Sequence, residues 1–64
     1  MIVVNGEECG YENIAIDQLI TVLGVEPRGI AVARNGEIVR RSEWMRTLVV
    51  NGDLVEIVTA AAGG

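Results

Sequence analysis

The residue types able to do chemistry in this chain are few, and they gather at its last five positions. The sequence closes on Ala60-Ala61-Ala62-Gly63-Gly64, with nothing charged or bulky among them. Five extended residues reach about 17 Å beyond whatever precedes them. Small side chains let such a segment thread a narrow channel. The glycines let its backbone approach a reactive centre with no Cβ in the way, at φ angles other residues avoid. The group so delivered is the carboxylate of Gly64, a nucleophile offered to another protein's site. A Gly-Gly ending alone is a weak signal, because a frayed or truncated end reads the same way. Its meaning depends on what it follows.

Elsewhere the chemical inventory is thin. The 64 residues include no His, no Lys and one Cys. Without His the commonest general base and metal ligand is missing. Cys9 alone can neither close an internal disulfide nor build a multi-cysteine zinc site. No metal site and no bound cofactor are expected. The lack of lysine means that no internal ammonium side chain can be acylated, so the chain cannot build lysine-linked chains on itself. Cys9 reads as a semi-buried apolar residue rather than a sulfur relay. Glu7, Glu8 and Glu12 read as a solvated hairpin face, since no base or cleft accompanies them. Arg40 and Arg41 have two open readings: contact with an anion or acidic partner surface, or a solvent-facing turn.

The net charge of −4 argues against nucleic acid as the partner. Residues 1–32 hold five acids and one Arg, while residues 33–64 hold four of each. That asymmetry serves solubility, or steers the chain toward a basic partner. No apolar stretch approaches the roughly 20 residues of a membrane span, and the start lacks a signal-peptide pattern. No membrane partner is expected, and a reduced, soluble, cytoplasmic setting fits.

The elements that must carry the C-terminal segment are marked by turn signals. Three Asn-Gly pairs occur, at Asn5-Gly6, Asn35-Gly36 and Asn51-Gly52. Asn-Gly accepts the positive φ angles of a type I′ turn and is a strong hairpin signal. Residues 1–5 and 7–12 therefore read as one hairpin, and residues 30–34 and 37–39 as a second. The third pair precedes a final strand over residues 54–59. Between the hairpins, Ile16, Leu19, Ile20 and Leu23 share one face of a helix. Asp17 suits its first turn, Asn13 or Ala15 its cap, and Gly24 with Pro27 its end. Ser42 can cap a short turn over residues 41–46, and Trp44 reads as the lid of the core, its indole N–H near the surface. In the last strand Val55 and Ile57 take the core side. Leu54, Glu56 and Val58 take the other, so Val58 faces outward beside the root of the C-terminal segment, a docking contact in waiting.

Half the residues are apolar, mostly Val, Ile and Leu, a composition that favours strands. Strand, strand, helix, strand, strand, short turn, strand fits an α+β fold. One helix packs on one face of a mixed five-stranded sheet, with the first and last strands parallel at its centre. That is the ubiquitin-like β-grasp, expected over residues 1–59, with residues 60–64 as a flexible C-terminal tail.

Set on that frame, residues 31–64 closely resemble the ThiS family of thiamine-biosynthesis sulfur carriers. Ala31-Val32-Ala33-Arg34-Asn35-Gly36-Glu37-Ile38-Val39 resembles the family's third and fourth strands. Arg41-Ser42-Glu43-Trp44 matches its R-x-x-W element, and Asn51-Gly52-Asp53 its G-D turn. Ala62-Gly63-Gly64 matches its terminal A-G-G. The alanine-rich approach, Ala60-Ala61-Ala62, departs from relatives that often carry larger apolar residues there. The first thirty residues agree in pattern only. The resemblance implies a carrier that is a substrate of enzymes and not a catalyst. A ubiquitin-activating-type (ThiF-like) enzyme would use ATP to adenylate Gly64. A persulfide would then leave a thiocarboxylate there, and a thiazole synthase (ThiG-like) would take up its sulfur. The small subunit of molybdopterin synthase shares the fold and the Gly-Gly end, but is usually longer and richer in Phe and Pro near the last strand. A non-covalent β-grasp binding module would not need Gly64 to be the true end.

Overall fold

Both hairpins form where Asn-Gly permits them. The computed structural model describes residues 1–59. Strands β1 (Ile2–Val4) and β2 (Glu7–Cys9) close with Val4 opposite Glu7, and β4 (Ile30–Arg34) and β5 (Glu37–Val39) with Arg34 opposite Glu37. Asn5 and Asn35 both take φ 52°, and Gly6 and Gly36 φ 84° and 85°, as type I′ turns require. The second strand of the first hairpin stops at Cys9, short of residue 12. The third Asn-Gly pair differs: only Gly52 has positive φ, and Asp53 donates its amide to the Val50 carbonyl at 3.0 Å. It turns the chain into β7 (Leu54–Thr59) without making a hairpin.

These strands form one sheet in the order β2-β1-β7-β4-β5. β7 is central. It runs parallel to β1, with Val4 beside Val55, and antiparallel to β4, from Ile30 opposite Thr59 to Arg34 opposite Val55. The arrangement expected from the sequence is the one observed.

Helix α1 spans Ile16–Val22 and buries Ile16, Leu19 and Ile20. Leu23, expected on the same face, is instead 37% exposed. The helix closes one residue too early for it. Gly24, at φ 74°, donates to Thr21, and Val25 donates to Ile20, which is the Schellman closure. Val25 packs, half-buried, against the core.

At the other end Ala15 is the cap residue and makes no side-chain cap bond. Ile14–Ala15 form a two-residue strand, β3, paired with β6 (Leu48–Val49), and the Ile16 amide bonds to the Thr47 carbonyl at 3.1 Å. Strand pairing thus does the work of a cap. The segment Arg41–Arg46 is a 3-10 helix that begins after Arg40, so Ser42 lies inside it and caps nothing. Trp44 is 5% exposed, and its indole N–H donates to the carbonyl of half-buried Val39 at 3.0 Å. The core comprises Ile2, Ile16, Leu19, Ile20, Val32, Trp44, Val49 and Val55, with Cys9 half-buried against it.

Candidate functional site

β7 leads directly into the C-terminal segment. It is the central strand of the sheet, the last element of the fold, and ends at Thr59. Alternation along it sends Val55 into the core, where it is buried, and Ile57 half into it. Leu54, Glu56 and Val58 face away from the helix, as expected. Residues 60–64, and with them Ala60, Ala61, Ala62, Gly63 and Gly64, lie outside the described residues.

The register shows what surrounds Val58. Ala31 stands opposite it, Ala33 opposite Glu56, and Ile38 opposite Ala33. Val3 stands beside Leu54, with Glu8 across from it. On the helix-free face this places aliphatic side chains around Glu56, which stands between Leu54 and Val58 on the central strand, with Glu8 at the β2 edge. Ile38, Val58 and Leu54 are 70%, 57% and 56% exposed. Three large aliphatics are thus left in water on one sheet face, around a single carboxylate. Sequence reading found Val58 and set Leu54 on its face. It missed Ile38, because only the β4–β5 register brings that residue to the same side.

The two arginines part company. Arg40 follows β5 directly and lines a groove along that strand's free edge with Arg34, Glu37, Ile38 and Glu43. Arg41 lies in the helical layer. Its guanidinium sits 5.2 Å from the Trp44 ring centroid and donates to the Pro27 carbonyl at 3.1 Å. Of the pair, Arg40 shares the β5 end of the sheet with Ile38, while Arg41 already has structural contacts.

The entry into β7 is anchored by Asp53, a buried carboxylate the sequence reading treated only as part of a turn. It accepts from the Val50 amide at 2.9 Å and from Asn35 Nδ2 at 3.0 Å, with Arg34 Nε at 3.5 Å. The Val50 amide, foremost, then the Asn35 amide and the Arg34 charge hold its carboxyl below its ordinary pKa, against the opposing effect of burial. Asn35 also bonds both backbone groups of Leu54, donating its backbone N–H at 2.7 Å and accepting through its side-chain Oδ1 at 2.9 Å. The turn residue thereby locks the start of β7. Among the described residues no group of three or more His, Cys, Asp or Glu side chains is arranged to hold a metal, and no helix is long and apolar enough to cross a membrane.

A mixed five-stranded sheet with its first and last strands parallel at the centre, and one helix across one face, defines the ubiquitin-like β-grasp class. Within that class the chain belongs to the ThiS family, whose model matches residues 2–64. A crystal structure of the thiamine biosynthesis protein (ThiS) from Geobacter metallireducens superimposes with a TM-score of 0.82. It is 31% identical, and the match covers 98% of this chain and 97% of that one. The NMR solution structure of a thiamine biosynthesis protein from the same organism gives a TM-score of 0.75 at 31% identity, covering 98% and 86% of the two chains. A thiazole synthase of Paramagnetospirillum magneticum is 41% identical over 64 residues, 98% of this chain. The chain spans 20% of that relative's length.

Proposed function

We propose that this chain is a sulfur carrier for thiamine biosynthesis, loaded at Gly64 by an ATP-dependent adenylating enzyme. The observation that carries the reading is β7: the last and central strand runs to Thr59 and is followed at once by Ala-Ala-Ala-Gly-Gly. Membership of the ThiS family supports it over residues 2–64, the terminal glycines included.

The chemistry follows from what a carboxylate lacks. Carboxylate oxygen is a poor leaving group, so nucleophiles do not displace it. Attack of the Gly64 carboxylate on the α-phosphorus of ATP expels pyrophosphate and leaves an acyl adenylate. The terminal sulfur of a partner's persulfide then displaces AMP, and a thiol cleaves the resulting acyl disulfide to free the thiocarboxylate. That group is ionised at neutral pH, and its sulfur is a softer and stronger nucleophile than oxygen. The chain serves as a co-substrate, with ATP bound by its partner. Tying sulfur to a folded domain restricts delivery to enzymes that dock the domain.

Two partners follow: a ubiquitin-activating-type (ThiF-like) enzyme for loading, and a thiazole synthase (ThiG-like) for unloading. The second is supported by the relative named thiazole synthase, in which a unit like this chain forms part of a longer polypeptide. The thiamine names of the relatives favour this pathway over molybdopterin formation. The exposed Ile38, Leu54 and Val58 around Glu56 support docking by the sheet face, with Arg40 at its β5 edge.

Intact mass spectrometry tests the reading. The chain ending at Gly64 is incubated with ATP, a ThiF-like enzyme and a persulfide sulfur source. One oxygen should exchange for sulfur at the C-terminus. A chain with one residue added after Gly64 should stay unmodified, and Gly64→Ala should be loaded poorly while melting like the parent. Loading of the extended chain would instead point to chemistry away from Gly64.

A further inference from the structure

We propose that Asn5 is a positioning residue for the loading reaction: its side-chain amide fixes the exit of β7, the point from which the segment that carries Gly64 departs. This deepens the carrier reading and rests on it.

The backbone groups of β7 that face β1 belong to alternate residues. The Val3 amide donates to Asp53 at 3.1 Å, and the Asn5 amide to Val55 at 2.9 Å. Continuing a parallel ladder, the next bond would run from the Ile57 amide to the Asn5 carbonyl. That carbonyl is not available, because Asn5 has φ 52° and the chain turns away there into β2. The Asn5 side chain takes over. Its Oδ1 accepts from the Ile57 amide at 2.8 Å, and its Nδ2 donates to the Ile57 carbonyl at 3.1 Å. A primary amide presents the same donor and acceptor as a peptide group, so it stands in for the strand that has left.

Few residues meet both demands. The turn needs positive φ, which Asn tolerates and β-branched residues do not. The ladder needs a short side chain bearing both a donor and an acceptor. Gly would satisfy the turn alone, and Asp would lack the donor. Without the clamp, β7 beyond Val55 would be held on the β4 side only, over the last residues before position 60.

The test compares Asn5→Gly with Asn35→Gly. Both keep a residue suited to the type I′ turn, and each removes side-chain bonding to β7: Asn5→Gly two bonds at the exit, to Ile57, and Asn35→Gly one bond at the entrance, to Leu54, together with a bond to Asp53. Hydrogen exchange reads the clamp, and ATP–pyrophosphate exchange with a ThiF-like enzyme reads its use. In Asn5→Gly the Ile57 amide should exchange at least tenfold faster. Its kcat should fall about tenfold with KM within about twofold, because a loosened departure point for the reacting segment costs rate rather than docking. Asn35→Gly should melt lower yet keep kcat. Unchanged Ile57 exchange, unchanged kcat in Asn5→Gly, or an equal loss in Asn35→Gly would overturn the proposal. Failure of the parent chain to support pyrophosphate exchange would overturn the carrier reading itself, whatever the Ile57 amide shows.

Discussion

The Asp53 carboxylate receives the Val50 amide and the Asn35 amide, with the Arg34 guanidinium close by. These partners lower its pKa in the folded chain. A carboxyl whose folded pKa lies below its unfolded value, about 3.9, adds stability that is fully present above that value. The contribution is lost as pH falls through the unfolded and then the folded pKa. Asp53→Asn should therefore lower stability at pH 7 by about 1–2 kcal/mol, by weakening these bonds and setting two amide NH2 groups against each other. Its effect should shrink as pH drops below about 4. Urea unfolding of both chains between pH 7 and pH 2 checks this, and a constant difference across that range would contradict it. Nothing in the sequence around Asn51-Gly52-Asp53 distinguishes this carboxylate from a solvated turn acid. Its partners Asn35 and Arg34 come from a strand end 18 and 19 residues earlier and meet it only in the folded sheet. Val58 and the Asn-Gly glycines were legible because each obeys a local rule, alternation or positive φ.

At the scale of elements, the two Asn-Gly hairpins were legible in place and register, since a two-residue turn fixes both, although β2 ends at Cys9 and not at residue 12. β3 and β6 were not, because two residues carry no periodicity and exist as strands only through each other. The helix face was legible apart from Leu23, where the Schellman closure overrode the spacing. The 3-10 helix was legible in place but not in its cap. Its purpose is to seat Trp44 between α1 and the sheet, with the indole N–H on the Val39 carbonyl. Trp44→Ala should cost roughly 3–5 kcal/mol through the cavity it leaves. In a domain of this size that is comparable with the whole stability, on the order of 3–10 kcal/mol. Trp44→Phe keeps most of the volume and forfeits the bond, so about 1–2 kcal/mol is expected beyond repacking. Thermal melts of the two variants should fall in that order, and parent-like melting of Trp44→Ala would contradict the buried placement.

At the scale of the whole molecule, the two faces of the sheet have different work. One buries Ile2, Val32 and Val55 under α1 and the 3-10 helix. The other leaves Ile38, Leu54 and Val58 in water, with Glu56 between the last two and Glu8 at the far edge. Exposed aliphatics on that face contribute little to stability, so their presence calls for a contact outside the chain. Val58 sits one residue before the end of β7, so a partner seated on it lies beside the point where the C-terminal segment departs. Val58→Glu should change folding stability by no more than about 0.5 kcal/mol, as a surface substitution does. It would place a charge where an enzyme's apolar surface must desolvate it. The KM for loading by a ThiF-like enzyme should then rise about tenfold or more, with kcat largely kept once the complex forms. Arg46→Glu, in the helical layer, makes a larger change of charge away from that face and should leave KM within about threefold. A parent-like KM in Val58→Glu, or an equal rise in both variants, would mean that overall charge and not this face governs docking.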